Sequence, residues 1–328
     1  MTMPQSEGEH NEDGTKQAAP LFTVFTATFN RADTLHRAFE SLQSQTFRDF
    51  EWLIIDDGSS DQTPSLVEAW QKTADFPIRY SWQPNQGKHI AFNAGVRDAH
   101  GEMLMVLDSD DACLPYALER FAFHWRRLPE DQRHLFCGVM SHCTDVQGNL
   151  VGDRFPQDVM DGNFAEILFK HKVRGEKWWI LRTDVLKQFP FPSEGSPKYI
   201  PESIIWRKIA QRYTWRFINE ALRIYYEGQD GRPDQLTRAP LAGIAMGCAM
   251  DNQSRLNEEI RWSRHAPLDF LRAAALYSRF SFHVGTGLKA QVGGLHNPLA
   301  RILWTIGLPI GYLSYRHDAR GLRRRSNE

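Results

Sequence analysis

Little in this 328-residue chain marks it as secreted, membrane-spanning or nucleic-acid-binding. Cysteine is scarce. The four present, Cys113, Cys137, Cys143 and Cys248, contain no CxxC pair and suggest no disulfide framework. That usage fits a reduced, cytoplasmic setting. Cys137, His142 and Cys143 lie close together, but no second ligand pair accompanies them, so they read as buried strand residues rather than a zinc site. Net charge is nearly absent too: 39 basic residues against 40 acidic ones leave no global field for a polyanion, and no nucleic-acid partner is expected. The apolar stretch Ile302–Tyr315 is shorter than the roughly 20 residues that cross a bilayer. Residues 1–20 are polar, with no apolar run, and are expected to form a disordered tail rather than a signal peptide or anchor.

What is present is a core-forming chain, 41% hydrophobic, in which short apolar runs alternate with helical patterns. Leu21–Ala27, Glu51–Ile55, Ile78–Trp82 and Met103–Leu107 read as strands. Between them lie helices near Leu35–Leu42 (apolar at Leu35, Ala38, Phe39 and Leu42, with Asp33 or Thr34 as cap), Thr63–Lys72 and Lys88–Ala99. Four such strand–helix units imply a parallel sheet with right-handed crossovers. The central stretch is Gly101–Asp111, GEMLMVLDSDD, a strand apolar on both faces that runs straight into carboxylates. Ligands of open α/β sheets bind at the carboxyl ends of strands. Asp108 and Asp110, two apart on a turn, can converge on one hard cation that keeps places for substrate phosphates. A lone acidic turn would be only a solvated loop. Here Asn30, Asp57 and the Asp108–Asp111 loop all end strands along one edge, and together they outline a pocket. Lys88 and His89 open a helix after a glycine, which makes either an anion site or a solvated helix start.

Three segments in this order, TATFNRADTLHRAFESLQSQTFRDFEWLIIDDGSSDQT, NQGKHIAFNAG and GEMLMVLDSDD, resemble the nucleotide-sugar-binding half of the inverting glycosyltransferases of family 2, which have the GT-A fold. The resemblance is close over residues 21–125 and looser to about 230. It implies an α/β, Rossmann-like, mostly parallel sheet flanked by helices, with a nucleotide-sugar half at 21–125 and an acceptor half at 126–238. It implies that Asp57 reads the base of a uridine-type nucleotide beside Thr28, Phe29 and Asn30. Phe29 stands where many members have Tyr, keeping a stacking ring without the hydroxyl. In the Asp108-Ser109-Asp110 motif, it implies that Asp110 binds Mn²⁺ or Mg²⁺ directly and that Asp108 meets the ribose or the metal's water shell.

The rest of the chain is read by position. Trp178 and Trp179 alternate faces of an aromatic strand, so at most one meets a substrate. Trp215–Asn219 and Leu222–Tyr226 read as two strands, Asp161 as a helix cap, and Glu227–Asp234 as a polar loop over the donor or at the surface. Glu202 stands at a helix start where family members place the general base; there it serves either as that base or as a favourable N-terminal charge. Residues 239–328 read as a helical extension whose segment 301–325, rich in arginine, either packs on the domain or lies on an anionic membrane surface, which would make the protein peripheral at the inner face of the membrane. The implied activity is metal-dependent transfer, with inversion, from a nucleotide-diphosphate sugar to a glycan or lipid-linked acceptor. A catalytically silent nucleotide-sugar-binding subunit would keep Asp57 and Asp110 but need no base, and a nucleotidyltransferase would need a glycine-rich loop that Thr26–Asn30 lacks.

Overall fold

The structure, a computed structural model, describes residues 19–193, 197–226 and 241–325. The expected loop 227–234 and residues 1–18 of the expected tail lie outside these. Four parallel strands begin the sheet: β1 (Phe22–Thr28), β2 (Phe50–Asp56), β3 (Ile78–Trp82) and β4 (Met103–Val106). They alternate with α1 (His36–Gln43), α2 (Thr63–Thr73) and α3 (Lys88–Asp98). Leu35 occupies the N-cap position of α1, so neither Asp33 nor Thr34 does. Strand β4 shows why a short run of apolar residues suffices here. Met103 and Met105 enter one core layer and Leu104 and Val106 the other, all of them buried.

Past β4 the sheet is mixed, so uninterrupted parallel pairing is confined to the first four strands. Five strands follow: β5 (Ala112–Cys113), β6 (Phe136–Thr144), β7 (Val159–Gly162), β8 (Lys177–Arg182) and β9 (Thr214–Ile224). The order is β3-β2-β1-β4-β8-β6-β9-β5, with β7 also on β9. β8 lies antiparallel between β4 and β6, and β9 runs parallel to β6 but antiparallel to β5 and β7. No βα alternation governs this half, so the right-handed parallel rule has no hold on it. The two expected strands, Trp215–Asn219 and Leu222–Tyr226, are one, β9, whose register against β6 shifts near Met140–Cys143. A further shift between Phe136 and Gly138 parts the cysteines: Cys137 enters one core layer, Val139 and Cys143 the other, which fits the strand-core reading.

Helices cover both faces. α1, α2 and α4 (Ala117–Arg126) pack one layer; α3, α6 (Thr183–Leu186) and α7 (Ser203–Ala210) pack the other. Trp178 joins the first layer against Phe121, its indole donating to the Val106 carbonyl at 2.6 Å, while Trp179 joins the second against Trp206. Both are core, so the expected stacking surface is not offered by either. Asp161 pairs with Arg216 from β7, and Asn163 caps α5 (Phe164–Phe169) in its place, accepting from the Ala165 amide.

The C-terminal part is helical: α8 (Leu241–Glu258), α9 (Pro267–His283), α10 (Leu288–Gly293) and α11 (Pro298–Arg325). Gly307 and Gly311, which in sequence interrupt an apolar stretch, lie where α11 meets the α9 backbone; a Cβ on Gly307 would come 2.8 Å from the Ala275 nitrogen. The helical part is tied to the sheet through α7, where buried Arg207 pairs with Asp251 at 2.7 Å and Glu259 at 2.9 Å. Burial opposes that charge, yet the two carboxylates raise the guanidinium above its ordinary range. Arg207→Ala leaves buried carboxylates without their cation and is expected to cost about 3–5 kcal/mol. Denaturant unfolding with wild-type stability would refute this.

Candidate active site

Strands β2, β1 and β4 are adjacent and parallel, so Asp57, Phe29 and Asp108 emerge at one edge, with Asp57 and Asp108 about two strand spacings, or about 10 Å, apart. The Thr28 carbonyl accepts from the Asp57 amide at 2.8 Å. Phe29 is 40% exposed, an aromatic ring open to solvent at this edge. Asn30 adopts φ 51°, a left-handed conformation that asparagine tolerates. Its amide oxygen accepts from the Ser60 and Asp61 backbones at 2.8 and 3.3 Å, and its own N–H donates to the Ser59 hydroxyl. Asn30 thus stitches the first strand end to the second.

Asp57 does similar work on the next loop. One carboxylate oxygen accepts from the Gln83 side chain at 2.8 Å and the Gln86 amide at 3.0 Å; the other accepts from the Gly87 amide at 2.8 Å. A carboxylate has about four acceptor positions, which leaves room for one more donor such as an imide N–H. Gly87, at φ 101°, turns the chain into α3, and Lys88 follows at once. His89 is buried edge-on to Phe191, and burial pushes it below the usual histidine range, so it serves the core.

Lys88 is the centre of the arrangement. Its ammonium lies 2.7 Å from Asp108 and 3.1 Å from Glu202, joining the end of β4 to the start of α7. Burial opposes its charge, but the two carboxylates prevail and hold it protonated. Glu202 occupies the N-cap position of α7 yet makes no side-chain cap hydrogen bond, so its carboxylate serves the cleft rather than the helix end. The cleft beside it, of about 250 Å³, is lined by Lys88, Phe191, Lys198, Tyr199, Pro201 and Glu202.

Two site residues escaped sequence reading. Arg223 on β9 is buried and grips Asp111, from its Nε at 2.7 Å and from its Nη2, while Nη2 also reaches Asp108 at 3.0 Å. Burial opposes its charge too, and Asp108 and Asp111 outweigh it. The Tyr226 amide donates to Asp111 at 2.9 Å, and Arg37 donates to the Asp110 carbonyl at 3.0 Å while stacking over Tyr226. Glu176, just ahead of β8, lies 3.7 Å from Arg223; burial first, then Asp108 and Glu202, push it above the usual carboxylate range. An arginine inside the apolar run LRIYY was the one available signal for Arg223; Glu176 gave none.

Burial works against the charge of Asp108, but Lys88 and Arg223 hold it far below the ordinary range. Both its oxygens are taken by these cations. Asp110 is the opposite case, raised by burial and by the charge of Asp108. Of the two, Asp110 is thus the carboxylate whose charge its surroundings compensate less. Among the described residues no group of three or more acidic, histidine or cysteine side chains forms a cage. An ion held by one or two carboxylates plus substrate phosphates, as Mg²⁺ and Mn²⁺ are, needs no such cage. Ser109 lies buried between them.

Comparisons with known proteins bear on the family and the fold. The family model for glycosyl transferase family 2 matches residues 23–188, just over half the chain. The GalNAc(5)-diNAcBac-PP-undecaprenol beta-1,3-glucosyltransferase of Campylobacter jejuni is 28% identical over 276 residues, spanning 80% of this chain and 84% of that enzyme. The chondroitin synthase of Escherichia coli is 31% identical over 149 residues, 45% of this chain and 21% of that protein. Residues 1–349 of S. aureus TarS in complex with UDP-GlcNAc superpose with a TM-score of 0.63 at 17% identity, covering 92% of each chain, which extends the fold match well past residue 188. The strand-end carboxylates, the mixed sheet and the family match converge: this chain belongs to glycosyl transferase family 2 and has the GT-A fold.

Proposed function

We propose that the chain transfers a sugar, with inversion, from a UDP-linked donor to a hydroxyl of a glycan or lipid-linked acceptor in cell-surface polysaccharide assembly. The observation that carries this is the Lys88 bridge, which brings a donor-edge carboxylate and a helix-start carboxylate to one cation. A nucleotide diphosphate lying along the strand ends would have its base near Asp57 and Phe29 and its phosphates toward Asp108 and Asp110. A bound Mn²⁺ or Mg²⁺ would supply positive charge to the departing diphosphate, with Asp110 as its direct ligand and Asp108 behind it. Glu202 takes the proton of the acceptor hydroxyl as that oxygen bonds to the anomeric carbon; the bond from that carbon to the diphosphate breaks on the opposite face, and the configuration inverts. Lys88 faces the negative charge that results. A lipid-linked acceptor is supported by the name of the Campylobacter relative. We assign residues 21–238 to the transferase domain and 239–328 to its helical extension.

A panel of nucleotide sugars in thermal unfolding, with and without Mn²⁺, tests the donor. A UDP-sugar at about a hundred times its Kd should add about 2.7 kcal/mol of stability with the ion and far less without it. If no nucleotide sugar stabilises the protein, the donor assignment fails. Stabilisation without any transfer or donor hydrolysis would mark a silent binding subunit instead.

A further inference from the structure

The outer face of α11 has no partner among the described residues. Leu299, Ile302, Ile306, Ile310 and Leu313 recur at steps of three and four, so they share one side of the helix, and each is between 43% and 67% exposed. The opposite side, with Trp304, Gly307 and Gly311, is the one packed on α9. The apolar surface continues onto α9: a groove of about 300 Å³ between the two helices is lined by Leu268, Leu271, Ala275, Leu276 and Ile310, with Arg272 beside them, and Leu268 is 77% exposed. Isolated exposed leucines need no explanation, but a strip running the length of a helix and into a groove does.

Charge identifies what covers it. The segment Pro298–Arg325 contains six arginines and one acid, Asp318, in a chain whose overall charge is only −1. Asp318 is turned inward, onto Arg279 at 2.7 Å and His283 at 3.0 Å of α9. Arg316 and Arg320 are exposed and continue the apolar stripe along the same side of the helix. No helix among the described residues is long and apolar enough to cross a membrane. An apolar stripe that runs into arginines, with its lone acid facing away, is the pattern of a helix lying in the interface of an anionic bilayer.

We propose that this face of α11, with Leu268 at the start of α9, docks the protein on an anionic lipid surface, the isoleucines and leucines entering the headgroup boundary and Arg316 and Arg320 meeting lipid phosphates. Because α11 packs on α9, α9 on α8, and α8 grips α7 through Arg207, the docking face belongs to the same helical stack that supports Glu202.

The purified full chain is centrifuged with vesicles of phosphatidylcholine alone or with roughly a third phosphatidylglycerol. The protein should sediment with the anionic vesicles and not with the neutral ones, and about 0.5 M salt should weaken the association. Ile306→Asp combined with Leu313→Asp should lower partitioning at least about tenfold, with circular dichroism and any donor-induced thermal shift unchanged. Arg316→Glu combined with Arg320→Glu should remove the preference for anionic lipid. A wild-type chain that ignores anionic vesicles, or binding that neither double variant reduces, overturns the proposal. So does a wild-type dimer in sedimentation that the aspartate variant dissolves, which would assign the face to a second copy. None of these readouts requires sugar transfer, so failure of the docking assignment and failure of the proposed reaction are told apart.

Discussion

Glu202→Gln is expected to abolish sugar transfer, lowering kcat by about 10²–10⁴-fold, while the donor binds as in the wild type. Glutamine keeps the shape of the side chain and an oxygen for the Lys88 ammonium, now 3.1 Å away, but cannot take a proton. The loss should therefore fall on kcat, and donor affinity measured by calorimetry should not move. Glu176 is the informative control. It belongs to the same charged cluster, through Arg223 at 3.7 Å and the neighbouring Asp108 and Glu202, and its raised affinity for a proton makes it the rival base. Glu176→Gln should retain transfer. If the two variants behave in reverse, Glu176 is the base and Glu202 only balances Lys88.

Asp110→Asn should lose ion-dependent donor binding and leave the fold intact. Asp110 is raised by burial and by Asp108, so its charge is poorly compensated until a cation arrives. Loss of a direct ligand should weaken binding by more than the roughly 10–100-fold that loss of a supporting group costs. Chelation of the wild type should have the same effect, and donor affinity indifferent to both would refute the ion assignment. Asp108→Asn should behave differently. It frees Lys88 and Arg223 from a shared partner within the cleft, so it should lower thermal stability as well as donor affinity.

The family resemblance gives these two aspartates different roles, but the charge pairing that sets them apart was not legible in the chain. By position alone, without the resemblance, Asp108 and Asp110 are two equal carboxylates on one turn. In the fold, two cations from residues 20 and 115 positions away claim Asp108 and neither is bonded to the Asp110 carboxylate. Asp57 and Asn30 were legible as strand-end residues, but most of their polar capacity goes to holding neighbouring loops in place. Trp178 and Trp179 misled because an aromatic strand beside a sugar site and an aromatic strand in a core look alike; only the packing of Phe121 and Trp206 against them decides.

By itself the sequence determined the first half, with its four parallel strands. Apolar runs of strand length, helical spacing between them and acids at the strand ends are local patterns, and the handedness of βα units places those ends on one edge. The tertiary structure alone decided the second half of the sheet. There most strand pairs are antiparallel, β9 runs parallel to β6 with a shifting register, and the charges that matter meet across as many as 115 residues. Electrostatic pairing of that kind is set by proximity in space, on which periodicity along the chain has no bearing.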